Sequence, residues 1–187
     1  LHRPDPSTPI VEILIALSRE IKAGRIKHYA ISNYNARQLR ELLEVADTNK
    51  LPRPVAHQAP FSLLKSELVS DLLPLCAGEQ IAVIPYQVLQ GGLLTGKYRR
   101  NQPIPIDSRK AEKEAWVWPL NDALFDQLEA LEKKAGQNGK SLMQYSINWV
   151  LEQPAVVSAI IGIKRIEQLE AAIATAGNPK ISSFIAP

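Results

Sequence analysis

Between residues 10 and 84 the chain alternates three times between a helical hydrophobic repeat and a short apolar run, and this alternation constrains its fold most. Ile10, Ile13, Leu14, Leu17 and Ile21 recur at helical spacing up to Gly24, behind Ser7-Thr8-Pro9, which offers a cap and a first-turn proline. A strand is read over 26–31. Asn35 is placed to cap a helix carrying Leu39, Leu42, Leu43 and Ala46 and ending near Asn49. Pro52 and Pro54 then punctuate, and 55–58 reads as a short strand. Ser66 is placed to cap a third helix through Leu75, and the β-branched run 81–84 reads as a strand buried on both faces. Alternation at this spacing predicts parallel strands joined by crossover helices.

From 87 to 118 the chain is irregular, interrupted by Pro103 and Pro105 with Pro119 just beyond, a length without structure typical of a lid or binding loop. Helices over 121–137 and 141–153, split by Asn138-Gly139, a last strand over 156–161 and a last helix over 166–175 complete the reading. The 9 glycines and 14 prolines fall mainly between elements, and no repeat or linker divides the chain, so residues 1–187 read as one domain. A 45% hydrophobic content suffices for a core. No apolar run is long enough for a membrane helix, and no targeting segment is recognisable. The single cysteine, Cys76, forbids an internal disulfide, fits a reducing cytoplasm and reads as packing. A net charge of +3 without any basic block argues against nucleic acid as a partner. No metal site is expected.

Each strand ends in polar residues: His2 after the stub at Leu1, Ser32-Asn33, Gln58, Tyr86, and Gly162 to Lys164. Polar groups repeated at one end of apolar parallel strands are the pattern of a site built at that edge. The segment 81–98 sharpens it. Pro85 ends the strand and sets Tyr86 just beyond it, and a loop with Gly91, Gly92 and Gly96 leads to Lys97. Glycines let backbone N–H groups approach a ligand, and a lysine beside them suits a phosphate. An aromatic plate beside such a loop is what a nucleotide cofactor needs; the alternative is a turn-rich surface loop.

Residues 88–97, Val-Leu-Gln-Gly-Gly-Leu-Leu-Thr-Gly-Lys, together with Tyr86, resemble the aldo-keto reductase family, and the resemblance extends from His2 to about Ala176. It implies an α/β fold, the C-terminal half of a (β/α)8 TIM-type barrel, and NADP(H) as cofactor. By the same resemblance Tyr86 stacks on nicotinamide, while Gly91, Gly92, Leu93, Thr95 and Lys97 lie along the pyrophosphate. Leu-His-Arg-Pro-Asp at the start resembles the strand ending in the family's catalytic histidine, so His2 takes that role and orients the substrate carbonyl. Ser32 and Asn33, with Gln58, would bond the nicotinamide carboxamide, although Ser-Asn after a strand is also a common turn. Gly162-Ile163-Lys164-Arg165 through Gln168 resembles the stretch in which a basic residue meets the adenosine 2′-phosphate and the glutamine nears adenine. Lys164 or Arg165 there favours NADP over NAD; either could equally be a solvated helix start. Departures are Ala30 for glycine, Phe61-Ser62 for Tyr-Asn, Gln87 for serine and Ala172 for an adenine-contacting asparagine. Trp149 matches a packing position. Trp116 and Trp118 are candidates for substrate contact or for surface packing.

The family's proton-donating tyrosine and its lysine and aspartate partners find no match, since none of Tyr29, Tyr34, Tyr86, Tyr98 and Tyr145 sits in a corresponding context. The chain is therefore expected to be a piece of a longer polypeptide, inactive alone and partnered by the missing N-terminal half of the barrel. An open half-barrel would expose two sheet edges and be poorly stable by itself. The expected full-length function is NADP-dependent reduction of a small-molecule aldehyde or ketone. The alternatives are a non-catalytic nicotinamide-nucleotide-binding regulatory module of the same fold, and a product that binds no cofactor.

Overall fold

A computed structural model describes residues 1–176. The elements run α1 (Ile10–Lys22), β1 (Ala30–Ser32), α2 (Ala36–Thr48), β2 (Ala56–Gln58), α3 (Leu72–Gly78), β3 (Ala82–Val83), α4 (Arg109–Glu112), α5 (Asp122–Gln137), α6 (Leu142–Leu151) and α7 (Ile166–Ala176). The three strands form one parallel sheet in chain order, with Ala30 beside Ala56 and Ala56 beside Ala82. Neighbours in chain order are what a parallel α/β barrel requires, and a partial barrel is consistent with this sheet.

Local signals account for most boundaries. Asn35 caps α2 through a reciprocal pair, its side chain accepting from Gln38 N–H while Gln38 Oε1 accepts from Asn35 N–H. Asn121 caps α5, and Ser141 with Gln144 caps α6 in the same reciprocal way. The third helix corrects the expectation at Ser66. Glu67–Val69 forms only a short 3-10 turn, closed by Ser70 Oγ donating to Glu67 O at 2.8 Å, and Asp71 caps α3 instead. At α1, Ser7 and Thr8 do not cap the helix. Their hydroxyls donate to Asp5, which makes that carboxylate a turn-former.

Two strand expectations are corrected as well. The run 26–31 contributes only its end to β1: Val55 N–H still donates to Tyr29 O, but Pro54 and Pro52 before it have no N–H with which to extend the ladder. The run 156–161 is no strand: it meets β3 at the single bridge Val83–Val156. Ala155 enters it in a left-handed turn, φ 63°, and Pro85 accepts from Ile160 N–H at 2.8 Å but cannot return a bond. On the opposite edge the Leu1 ammonium donates to Ala30 O at 2.7 Å.

The main core lies between the sheet and helices α1, α2, α3 and α6, around Leu14, Ile31, Leu39, Phe61, Leu73 and Val150. Phe61 packs on half-buried Trp149, ring centroids 5.2 Å apart, which bears out Trp149 as a packing residue. Cys76 is buried there too, and burial pushes its thiol up to about 12, so it stays a thiol. A second cluster, with Leu93, Leu94, Val117 and Leu128, sits under the glycine-containing loop. Ile160, Ile163, Ile166, Leu169 and Ile173 are exposed along the last turn and α7.

Candidate nucleotide site

At the C-terminal ends of the strands, Asn33 ties four of the sequence candidates together. Its backbone is left-handed, φ 63°, a conformation asparagine tolerates better than most residues. Its N–H donates to Gln58 O at 3.1 Å, and its Nδ2 donates to His2 O at 2.8 Å and to Ser32 Oγ at 3.1 Å. Its Oδ1 accepts from the Tyr86 hydroxyl at 2.6 Å. Tyr86 is fixed from below, donating its N–H to Ala59 O while its carbonyl accepts from Phe61 N–H. Burial raises the Tyr86 phenol above its ordinary value, with the Asn33 bond acting the other way. The ring is therefore held by both ends. The exposed His2 imidazole makes no hydrogen bond among the described residues, so it is available at the rim.

Beside Asn33 a groove of about 460 Å³ opens between the first residues and α2, with Arg3, Asp5, Tyr34 and Arg37 in its wall. No cluster of three metal-ligating side chains exists among the described residues, and no helix there is long and apolar enough to cross a membrane.

The glycine loop is built differently from the sequence expectation. Gly91 and Gly92 are left-handed, and the N–H groups of Gly92 and Leu94 both donate to Leu89 O, so those two are spent inside the loop. A Cβ at Gly91 would stand 2.8 Å from Val117 Cγ2 and 3.1 Å from Trp116 O. The segment 107–118 thus crosses this glycine, which is required there with or without a ligand. At Gly92 a Cβ would meet Lys97 Cε at 3.1 Å and Nζ at 3.3 Å, so the lysine folds back over the loop. Exposed Lys97 makes no ion pair among the described residues, leaving one uncompensated cation on the glycine turn. Leu93 is fully buried in the second cluster and supports the loop from beneath, and Thr95 Oγ1 donates to Gly92 O at 2.7 Å. Gly91→Ala should lift the 116–118 segment, and an unfolding midpoint equal to wild type would show that contact to be slack. The expected loss is about 1–3 kcal/mol, from overpacking and the left-handed backbone together.

Gln90 was not foreseen. With its amide oriented to satisfy both ends, its oxygen accepts from Trp118 Nε1 at 3.0 Å and its nitrogen donates to Gln87 O at 3.2 Å. Trp118 therefore ties the crossing segment to the loop. Trp116 is 65% exposed, with Arg109 and Lys113 at 5.8 and 5.2 Å from its ring.

The basic candidates at the start of α7 are already engaged. Lys164 pairs with Glu112, and Arg165 Nη1 lies 2.9 Å from Asp107 Oδ2. Gln168 Oε1 accepts from Lys164 N–H at 3.0 Å, so its side chain closes the helix start. Gly162 is open: a Cβ there would meet nothing within 4 Å. Asp107 and Glu112 lie more than fifty residues from their partners along the chain, and no local pattern announced them.

Compared with known proteins, residues 1–184 match the model of the Aldo/keto reductase family. The chain is 32% identical to an L-glyceraldehyde 3-phosphate reductase of Escherichia coli K12, over 97% of this chain and 54% of that protein. It is 32% identical to a probable voltage-gated potassium channel subunit beta of Arabidopsis thaliana, over 90% of this chain and 52% of that protein. Among solved structures it resembles a glycerol dehydrogenase from Gluconobacter oxydans, with a TM-score of 0.67 and 25% identity, covering this chain fully and 59% of the other. The chain spans about half the length of the curated relatives it matches.

Proposed function

The chain belongs to the aldo/keto reductase family, and from that premise we propose that residues 1–187 form the nicotinamide-nucleotide half of an NADP-dependent carbonyl reductase acting in the cytoplasm. The full-length protein reduces an aldehyde or ketone, and the barrel is completed by elements outside this chain. The observation that carries the reading is the knot of His2, Ser32, Asn33, Gln58 and Tyr86 at one end of parallel strands.

The residues fit such a cofactor. Tyr86 presents an aromatic face whose position is set by Asn33 Oδ1 and by the backbone of residues 59–61. Asn33 fixes the arrangement with its own amide, while the Ser32 hydroxyl and the Gln58 side chain bring a donor and acceptors, which a carboxamide needs. Lys97 brings to the glycine turn an ammonium with no ion-pair partner among the described residues, and Lys164 and Arg165 stand beside open Gly162, where the adenosine phosphate would be met. Bound NADPH supplies a hydride. His2, exposed beside Asn33, is placed to donate a hydrogen bond to the carbonyl oxygen and to fix its direction.

We assign the proton to none of the five tyrosines of this chain; Tyr145 lies on α6 rather than at a strand end. Tyr29 donates to Pro52 O and Tyr98 is buried against Gly91 O and Lys110 N–H. Tyr34 is buried, and Tyr86 is committed to Asn33. The donor is therefore assigned to the remainder of the full-length protein. The exposed apolar residues from Ile160 to Ile173 offer an edge on which that remainder packs.

A second reading, a regulatory module that binds the nucleotide without turnover, draws on the channel-subunit relatives. Carbonyl-dependent oxidation of NADPH by the full-length protein separates the two. Fluorescence titration with NADPH tests the shared site: Tyr86→Ala and Lys97→Ala should each weaken binding by about 1–3 kcal/mol, through lost stacking or a lost charged contact. Unchanged affinity in both variants overturns it.

A further inference from the structure

We propose that Asp107 and Glu112 set the nucleotide preference of this site by occupying the cations that a 2′-phosphate would use. The proposal rests on the nicotinamide-nucleotide reading above and specifies its regulation. Lys164 is paired with Glu112 and Arg165 with Asp107, so one crossing segment supplies a carboxylate to each of the two neighbouring bases. Both pairs are solvent-exposed, but the segment that carries Glu112 is held in place. Glu112 ends α4, which Ser108 caps, and the chain beyond it is pinned over Gly91 by Val117 and joined to Gln90 by Trp118. The bond from Lys164 holds the Glu112 carboxyl below the usual carboxylate range, so it is charged at neutral pH.

The electrostatic consequence follows from charge alone. A phosphomonoester carries about −1.5 to −2 at neutral pH. Arriving at Lys164 and Arg165, it meets two cations already paired with two carboxylates, and it must either displace those carboxylates or sit beside them. Its gain is the difference between two ion-pair arrangements rather than the whole attraction. A nucleotide without the 2′-phosphate displaces nothing. The segment therefore narrows the advantage of NADP over NAD that two basic residues would otherwise confer, and removing the carboxylates should restore it.

The test is titration of the full-length protein with NADPH and with NADH, for wild type, Glu112→Gln, Asp107→Asn and the double variant. Exposed ion pairs are weak, so each single change should tighten NADPH by about two- to fivefold and the double change by about tenfold. NADH should stay within about twofold of wild type. The ratio of the two affinities within one preparation guards against a general loss of fold. Normal binding with an unchanged ratio, or with NADPH weakened, overturns the proposal alone. Failure of wild type to bind either nucleotide overturns the site reading and the proposal with it.

Discussion

Phe61→Ala is expected to remove about 3–5 kcal/mol of folding free energy, the usual range for deleting a buried aromatic ring. Phe61 is 0% exposed and lies against Trp149, on the segment that follows β2. Its N–H donates to Tyr86 O at 3.1 Å, and Pro60 bridges Tyr86, so the ring anchors the short ladder that carries the aromatic face of the site. Alanine keeps those backbone bonds and leaves a cavity beneath them. Stability should fall in denaturant unfolding with an unchanged slope, and nucleotide affinity should fall with it as Tyr86 loosens. Phe61→Leu should retain more than half of the lost stability, since most of the volume is refilled. A loss below about 1.5 kcal/mol for alanine would mean that the pocket collapses freely and that Phe61 does not hold Tyr86 in place.

The second large effect is a dependence on pH centred on His57. It is 0% exposed on β2, and its Nε2 lies 3.0 Å from Tyr34 O. A carbonyl only accepts, so Nε2 carries the proton and Nδ1 holds a bare lone pair, buried and without a partner among the described residues. Burial lowers its pKa to about 4, against an ordinary value of 6.5, with the Tyr34 bond opposing. Below pH 6.5 the unfolded chain takes up a proton that the folded one refuses. Stability is therefore full above about 6.5 and falls progressively as pH drops toward 4, by about 3 kcal/mol in all. His57→Gln keeps a donor near the Nε2 position and cannot titrate, so the difference between the two unfolding profiles isolates this residue. Parallel profiles from pH 7 to pH 4 would refute the assignment. The added proton goes to Nδ1 and leaves the Nε2–H bond to Tyr34 O in place, so the cost is that of a charge buried in the core on β2.

The fold was legible wherever a local signal decided it. Helix spacing placed α1, α2, α5, α6 and α7, and Asn35, Asn121 and Ser141 mark helix starts because a cap needs only residues three apart. Strand lengths were less legible, because they depend on what stands opposite. Pro52 and Pro54 shorten β1 only once the register with β2 is known, and Pro85 with Ala155 prevents a fourth strand only once 156–161 lies beside β3. The strand-end residues were found from chain order, since parallel strands bring their ends together automatically. The glycines were found but given an incomplete reason, because Val117 and Lys97 fill the space that a ligand alone was expected to need. Asp107, Glu112 and Gln90 stayed invisible, for their partners are reached only through the tertiary path of the crossing segment.

The sheet has one more consequence, and it concerns the route to the native state. Ala30, Ala56 and Ala82 stand side by side at an even interval along the chain. Each new pairing therefore closes a loop of the same modest length, with a helix already inside it, and none waits for a distant partner. Such short-range contacts favour rapid growth by one strand and helix at a time. The crossing segment 107–118 breaks that rule, since Asp107 and Glu112 reach partners beyond α6. Its pairing with Lys164 and Arg165 is thus expected after the strand pairings, because those contacts close loops of 52 and 58 residues.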